Sequence, residues 1–355
     1  MTPVELSRTV LRAVRRAVDD GELNVAVPAR AAVERPRPGG CGDYSTNVAL
    51  QLAGPAGRAP RQVAELLSRR LAGSPGIAGV EVTGPGFLNL TLAADDRGAL
   101  VREILARGGR YGHSDVLAGQ RFELRVPYEV RAEVVADSVS RILATQGADT
   151  HVSHSHSHSH SHDESAGPGG ARIVQLRPVP APSDPVVLGR DAARWALLLP
   201  AAHDRPRIAG EHLAQRESNP LFRVRYAYAR TRALTRNAAA LGFTAEPGDV
   251  RDTTDTTDTT DTTATATGAL ASGEAALAAY PQALALAARH HAPDRLARHL
   301  VLVADAFLAF QHTVLPQGEE KPSAAHRARL ALAEAAGAVL AGGLSLLGID
   351  APEHL

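Results

Sequence analysis

The sequence predicts a multidomain protein with an α+β N-terminal domain, a short segment of α/β type and an all-α helix bundle. Three observations lead to this fold class. Within residues 1–110, helical periodicity surrounds one strand–turn–strand pattern, VEVTGPGFLNLTL at 80–92. Residues 121–147 contain one strand pattern followed by one helix pattern. From residue 188 to the last residue, the apolar positions keep helical spacing.

Composition limits the function classes. The 355 residues carry 38 Lys+Arg and 38 Asp+Glu, so any attraction to nucleic acid must come from local patches. Only one of these 38 basic residues, Lys321, is a lysine. The single cysteine, Cys41, excludes an intrachain disulfide framework and a cysteine zinc site. With no hydrophobic run of membrane-spanning length and no signal-peptide pattern, we expect a cytoplasmic protein with no membrane partner.

Residues 1–110 are predicted to form one α+β domain. A helix over 2–20 begins at Thr2 as the N-cap, with proline at the next position. A second amphipathic helix is predicted over 61–71, and the strand pair over 80–92 follows it. A helix from about 95 to 108 closes the domain.

The middle of the chain changes character abruptly. Residues 111–150 read as a strand–helix segment that does not continue into a complete α/β domain. A strict His-Ser alternation then runs from His154 to His162 and is followed by a Gly/Pro cluster. We predict a low-complexity linker over 151–187, because such sequence cannot bury a core. We expect the alternating histidines to form a spacer, and loose metal binding is the alternative. A metal site of fixed geometry is not expected, because a flexible tract does not hold its ligands in place.

Residues 188–355 are predicted to form a helix bundle. Helical spacing of apolar residues recurs in five segments, which are 190–199, 219–242, 270–288, 294–313 and 323–347. Between the second and third segments, Asp-Thr-Thr occurs four times in succession over 252–263. This acidic stretch is predicted to belong to a disordered surface insertion at 249–268.

The segment Asn219–Gly242 is the most basic helix of the bundle, with five arginines and no acidic residue. Asn219 as N-cap, Pro220 at the first helical position and Gly242 as the stop are typical helix signals. Periodicity predicts that the core-facing stripe consists of Phe222, Tyr226, Ala229, Ala233 and Ala240. The opposite side then carries Arg225, Arg232 and Arg236, with Tyr228 beside them. This basic side either faces solvent only or meets phosphates and bases.

Two candidate nucleic-acid contacts lie at the hairpin pattern, where Phe87 and Asn89 are expected to project from one face of a strand. An aromatic ring for stacking beside an amide for base edges is typical of single-stranded RNA readers, although a plain hairpin with a core phenylalanine explains the pattern too. The chain contains no G-x-S-x-G, Walker A or H-E-x-x-H motif, and its adjacent carboxylates diverge. Neither catalysis nor a cofactor is expected from these residues.

Together these segments resemble arginyl-tRNA synthetases, at both ends of the chain and in the same order. GDYSTNVALQLAGPAGRAPRQVAELL and VEVTGPGFLNLTL are similar to the additional N-terminal domain of that family, which meets the tRNA D-loop. NPLFRVRYAYAR at 219–230 is similar to the family pattern NPVxYVQYAHAR at the start of the DALR-type anticodon-binding domain. The C-terminal helices look like the rest of that domain.

The middle departs from the family. VPYEV at 126–130 joins strand to helix with no room for the HIGH signature, and the sequence resumes at LGRDAARWALLL, which looks like the segment after the KMSKS loop. On this resemblance, residues 111–150 are a remnant of the catalytic domain. In this respect the chain resembles synthetase-related anticodon-binding proteins without a catalytic domain (NrtL-type), for which tRNA binding is the implied role.

The resemblance also implies which residues meet RNA. Phe87 and Asn89 match the D-loop-contacting aromatic and amide of the family, and Tyr226 and Arg230 match the Tyr and Arg of YAHAR near the anticodon. Arg223, Arg225 and Tyr228 replace a tyrosine, the glutamine and the histidine, which adds charge and blurs base readout. The full predicted tRNA-binding set is Phe87, Asn89, Arg225, Tyr226, Tyr228, Arg230, Arg232 and Arg236.

We therefore expect a non-catalytic tRNA-binding protein whose partner is tRNA, with arginine tRNA as one candidate. The alternative is a protein-interaction subunit that docks on a full-length synthetase or another enzyme and keeps only vestigial RNA contact. A weaker third hypothesis is a metal-responsive protein controlled by the histidine tract. No cofactor and no catalytic residue are predicted.

Overall fold

The structure is a computed structural model, and it describes residues 3–34, 41–92, 98–154, 170–250 and 261–355. The chain divides into two compact units. The first comprises Met1–Arg102 with Pro247–Asp249, and the second comprises Glu103–Glu246 with Val250–Leu355. The sequence predicts three folded segments, and the last two of them lie in one unit.

The first unit is an α+β domain, as its mixed periodicity predicts. Its elements are, in chain order, α1 (Pro3–Asp19), β1 (Val33–Glu34), β2 (Tyr44–Thr46), α2 (Val48–Ala56), α3 (Pro60–Leu71), β3 (Ile77–Thr83) and β4 (Phe87–Leu92). The four strands form an antiparallel sheet in the order β1-β2-β4-β3. Leu88, Leu90 and Leu92 alternate onto the core face of β4, where they join the buried residues of the three helices.

Strand β2 adds to the strand pair that the sequence predicts over 80–92. Asp43 explains why this segment pairs with β4. Its backbone N–H donates to the carbonyl of Leu90 at 2.8 Å, and its carboxylate accepts from the N–H of Leu92 at 2.9 Å. Gly42, at a φ of +81°, allows the close approach, because a Cβ there would lie 3.0 Å from the Leu90 carbonyl oxygen.

Helix α4 (Ala99–Arg107) begins in the first unit and ends in the second, and residues 95–97 of the helix predicted from 95 lie outside the described residues. The second unit then begins with β5 (Arg121–Val126), α5 (Val130–Ala144), β6 (Asp149–His154) and β7 (Arg172–Gln175). The three strands form a parallel sheet in the order β6-β5-β7. Helix α5 is the crossover between β5 and β6, as parallel strands require.

The sheet corrects the predicted linker at 151–187. Residues 151–154 belong to β6, residues 172–175 form β7, and Pro185–Leu188 is a 3₁₀ turn. Strand β6 could not be recognised from the sequence, because all of its residues except Val152 are polar and its end merges with the His-Ser tract. The rest of the His-Ser tract, from residue 155, and the following residues to 169 lie outside the described residues.

Five helices complete the second unit, namely α6 (Arg190–Leu198), α7 (Pro220–Ala240), α8 (Asp261–His290), α9 (Pro293–Phe310) and α10 (Ala324–Leu346). All five helical segments expected from periodicity are present. Helix α8, however, begins nine residues before the predicted start at 270, so residues 261–268 of the predicted insertion are helical. Residues 251–260 of that insertion lie outside the described residues.

The parallel sheet and the bundle share one unit because α5 packs against α6, α8 and α9. Arg131, near the start of α5, is fully buried and holds this junction. Each of its five N–H bonds has a carbonyl acceptor, at distances from 2.6 to 3.0 Å. The acceptors are the backbone oxygens of Val179, Leu197, Pro200, Ala201 and Asp204.

Helix α10 is long and apolar enough, by length and composition, to cross a membrane, and it is the one such helix among the described residues. In the structure, 61% of its most apolar 18-residue window is buried inside the protein. The central helix of a bundle has the same length and composition. Its small residues allow close packing: the Cβ of an alanine at Gly337 would lie 2.6 Å from Thr231 Oγ1 on α7.

We expect Gly337→Ala to destabilise the bundle by about 1–2 kcal/mol, because overpacking outweighs the gain of about 1 kcal/mol in helix propensity. Gly342→Ala is the matched control on the same helix, since the nearest atom to its new Cβ is 3.5 Å away. The control should leave stability unchanged or raise it. Urea unfolding followed by the fluorescence of Trp195, the single tryptophan, measures both variants. Equal stability changes for the two variants would contradict the close α7–α10 contact.

Candidate nucleic-acid interface

The β3–β4 hairpin presents Phe87 at its tip. Residues 83–86 form the turn, with Gly84 and Gly86 at positive φ. A side chain at Gly86 would lie 2.9 Å from the carbonyl oxygen of Pro60, so the turn packs directly on the start of α3. Phe87 is 39% exposed, whereas Leu88 beside it is fully buried. The phenylalanine is therefore not a core residue, and its ring is available for stacking.

Asn89 lies on the same face of β4 as Phe87 but is only 5% exposed. Its amide nitrogen donates to Thr83 Oγ1 at 2.9 Å and to Cys41 Sγ at 3.1 Å. Both N–H groups are thus engaged within the unit, which differs from the expected pair of projecting side chains. Asn89 holds the turn end of the hairpin, and Phe87 is the residue that reaches solvent. The contact also gives Cys41 a structural role that its sequence context does not indicate.

Helix α7 begins as the sequence predicts. Asn219 is the N-cap, and its side-chain oxygen accepts from the N–H of Leu221 at 3.1 Å. Its amide nitrogen also donates to the carbonyls of His212 and Ala214, which ties the preceding segment to the helix start. Pro220 occupies the first helical position, and Gly242 follows the helix at a φ of +78°.

The predicted core stripe of α7 is wrong. Phe222 and Ala233 are only half-buried, Tyr226 and Ala240 are exposed, and Ala229 alone of the five is buried. The buried face consists instead of Leu221, Val224, Ala227, Thr231, Leu234 and Ala238. Both sets keep helical spacing, and the second places leucine and valine in the core. The aromatic rings of Phe222 and Tyr226 stack on each other, with centroids 5.7 Å apart, on the outer face.

The arginines of α7 have partners from other parts of the second unit. Arg223 forms an ion pair with Asp305 on α9 at 2.9 Å, and Arg230 donates to Gln311 Oε1 at 2.9 Å. Arg232 pairs with Glu353 at 3.2 Å. The acidic residues that pair with these arginines are distant in sequence. The composition of α7 alone therefore overstates its unpaired positive charge.

Arg225 and Arg236 differ from the other three. Arg225 approaches Asp191 at 3.7 Å, and its buried Nε has no hydrogen-bond partner among the described residues. Arg236 is exposed, and the described part of the chain offers it no acidic partner. Tyr228 is half-buried on the flank of the helix. The outer face of α7 therefore combines a stacked aromatic pair with one unpaired arginine.

A pocket of about 320 Å³ adjoins this face and was not predicted from the sequence. The first turn of α6, the segment 212–215 and the chain end form its walls, and Phe222 and Arg225 of α7 line it. Because its walls come from segments far apart in sequence, no local motif could have indicated it. The pocket places the side chain of Arg225 beside the stacked pair of Phe222 and Tyr226.

The carboxyl end of the parallel sheet is the place where α/β folds bind nucleotides. Here only residues 127–129 connect β5 to α5, and Glu129 is the N-cap of α5. Its carboxylate accepts from the N–H of Ala132 at 2.9 Å and from the N–H of Ala181 at 3.3 Å. A helix N-terminus that would attract phosphate is thus occupied by a negative side chain.

His154, at the end of β6, is the one residue of the predicted His-Ser tract that the structure describes. Its ring stacks on Tyr128, with centroids 4.5 Å apart, and Nε2 contacts Glu133. No cluster of three or more metal-ligating side chains occurs within the described residues.

Comparison with known proteins identifies both ends of the chain. Residues 5–92 match the model of the arginyl tRNA synthetase N terminal domain, and residues 224–355 match the DALR anticodon binding domain. The chain thus carries both domains in the order that the resemblance implies. The Phe87 hairpin lies within the first match, and most of α7 lies within the second.

Curated relatives are named arginine–tRNA ligases. One from Frankia alni is 44% identical over 157 residues, which is 41% of this chain and 28% of the relative. One from Micrococcus luteus is 44% identical over 164 residues, or 42% of this chain and 30% of the relative. These alignments cover less than a third of the length of either relative.

Solved structures show the same fold. The arginyl-tRNA synthetase of Thermus thermophilus superposes with a TM-score of 0.61 at 14% identity, covering 100% of both chains. That of Plasmodium falciparum gives a TM-score of 0.66 at 9% identity and covers 99% of both chains. The predicted architecture, with a synthetase-type N-terminal domain and a DALR helical domain, is confirmed.

Proposed function

We propose that this protein binds tRNA through its two end domains and does not aminoacylate it. The observation that carries the proposal is the pair of domain matches, at 5–92 and 224–355, in one chain. Each domain exposes an aromatic residue at the position that the resemblance assigns to RNA, namely Phe87 at 39% and Tyr226 at 38% exposure. Base–aromatic stacking is the main sequence-tolerant contact of proteins with unpaired nucleotides.

The region between the two domains supports the non-catalytic part of the proposal. Adenylate chemistry depends on positive groups and backbone donors positioned around the phosphates of ATP. In this chain the Glu129 carboxylate caps the helix that follows β5, and this negative charge opposes phosphate binding there. Residues 127–129 are too few to form a separate nucleotide-binding loop.

The lysine content also supports the non-catalytic part of the proposal. The KMSKS loop of the synthetases that this chain resembles supplies lysine to ATP, and the only lysine here is Lys321. It lies in the loop before α10, two residues before the Ser323 N-cap, and therefore within the anticodon-type bundle. Arginine could supply charge in its place, but the segment before α6 contains a 3₁₀ turn, Pro185–Leu188, whose apolar residues carry no charge.

Docking on a synthetase or another enzyme is the second candidate function. It is favoured by the ion pairs of Arg223 and Arg232, which reduce the attraction of α7 for RNA. Exposed Val186 and Val187, both at 74%, offer apolar surface that RNA backbone would not use. In this case the two end domains would recognise protein, and RNA contact would be vestigial.

A filter-binding titration with bulk tRNA at two salt concentrations separates the two functions. The proposal predicts saturable binding at low salt that weakens with rising salt, because released counterions drive phosphate contacts. A pulldown with a full-length arginyl-tRNA synthetase runs in parallel. Stable capture of the synthetase together with no saturable tRNA binding would reject the proposal and favour the docking role.

A further inference from the structure

Helix α1 carries four exposed arginines on one face, Arg8, Arg12, Arg15 and Arg16. Their spacing of three, four, seven and eight residues places them on one side of the helix. The opposite side, with Leu6, Val10 and Val14, is fully buried in the core of the first unit. Because the core fixes the helix, the arginine face has a defined direction toward solvent.

A groove of about 740 Å³ borders this face. Its second wall is the end of α3 and the loop 72–76. Arg12, Arg16, Arg69 and Arg70 line the groove, and Glu5 is the one acidic residue in its lining. No aromatic side chain lines it within the part of the chain that the structure describes.

Most of this charge is not neutralised. Arg70 is the exception, because it pairs with Asp20 at 2.7 Å and with Glu22 at 2.8 Å. Its hydrogen bond lowers the pKa of the Glu22 carboxyl, so this pair stays ionised over the neutral range. Among the described residues, no carboxylate lies within ion-pair distance of the four arginines on α1, and Arg12 donates only to the hydroxyl of Thr9.

The arginines of α7, in contrast, are mostly paired. Three of the five approach carboxylates, and a fourth donates to Gln311. Sequence composition singles out α7 as the most basic helix, whereas the structure leaves more unpaired positive charge on α1. An attraction to phosphates that depends on unpaired arginines is therefore stronger at α1 than at α7.

We propose that the groove beside α1 binds the sugar–phosphate backbone of the tRNA, independently of its sequence. The proposal rests on the proposed tRNA binding and adds a second contact surface to the first unit, separate from Phe87. Arginines four residues apart rise about 6 Å along a helix, a spacing suited to the regular charges of one nucleic-acid strand. Their guanidinium groups bind phosphates in bidentate fashion, and a lining without aromatic rings offers no surface on which bases could stack.

The test compares two triple variants of the full chain. The groove variant is Arg12→Gln, Arg16→Gln and Arg69→Gln, and the control is Arg30→Gln, Arg58→Gln and Arg61→Gln. All six residues are exposed in the first unit, and both variants remove the same charge. Circular dichroism checks that both remain folded. Filter binding with bulk tRNA over a salt series then gives the affinity and the slope of log K against log salt.

We expect the groove variant to bind at least tenfold more weakly at low salt and to lose about two units of slope, at about 0.7–0.9 per phosphate contact. The control should change the slope by less than one unit. Equal losses in the two variants would overturn the groove proposal while leaving tRNA binding intact. Poly-glutamate and an RNA competitor are also compared for their ability to displace tRNA. If poly-glutamate displaces tRNA as effectively as RNA does, the groove is assigned to acidic proteins and the proposal is overturned. Absence of binding by the unaltered chain would reject tRNA binding itself.

Discussion

Replacing Arg131 by methionine is expected to lower the free energy of unfolding of the second unit by about 3–5 kcal/mol. The guanidinium is fully buried, and all five of its N–H bonds end on backbone carbonyls. Methionine fills a similar volume but donates to none of these carbonyls, and of the five that of Ala201 keeps the N–H of Asp204 as a donor. Burial lowers the pKa of Arg131, yet an arginine keeps its charge at any pH that the fold tolerates.

Arg141→Met is the matched control on the same helix. Arg141 is partly exposed, pairs with Asp137 at 3.1 Å and donates to one carbonyl, that of Ser345. Its loss should cost about 1 kcal/mol or less. Arg131→Lys should fall between the two methionine variants, because an ammonium group has three donors instead of five. Urea unfolding is followed by the fluorescence of Trp195, which is buried on α6 and therefore reports on this unit. Equal costs for Arg131→Met and Arg141→Met would contradict the role of Arg131.

Replacing Phe87 by alanine is expected to weaken tRNA binding by about tenfold or more, because a base–aromatic stack contributes about 1–3 kcal/mol. The ring is 39% exposed, and the core face of β4 is formed by Leu88, Leu90 and Leu92. Stability should therefore change little. Since no charge is removed, the salt dependence of binding should keep the slope of the unaltered chain.

Phe87→Tyr is the control, because it retains a ring that can stack. Filter binding of bulk tRNA at one low salt concentration measures the three proteins. Tyrosine should restore most of the affinity that alanine loses. Alanine and tyrosine variants that bind as tightly as the unaltered chain would assign Phe87 to an ordinary hairpin tip.

Much of the fold could be predicted because its signals are local. Asn219, Pro220 and Gly242 mark the two ends of α7 by side-chain and backbone chemistry that acts within a few residues. The β3–β4 hairpin and the short β5–α5 connection are equally visible in the sequence. The likeness to both synthetase domains rests on such segments, and the comparisons confirm it.

The remaining features depend on long-range contacts. Two stripes on α7 have helical spacing, and only its packing against α9 and α10 shows that the one with Leu221 and Val224 faces the core. The partners of its arginines, Asp305 and Glu353, lie some 80 and 120 positions away in sequence. Strand β6 is polar, and its pairing with β5 could not be inferred from low-complexity sequence.

We propose that the protein holds tRNA without charging it. The most direct test is one assay, in which the full chain is incubated with bulk tRNA, ATP and radiolabelled arginine and is then collected on filters. We predict that tRNA is retained in a saturable manner and that no arginine becomes esterified to it above the level without protein. Arginine attached to the tRNA in proportion to the protein added would contradict the account.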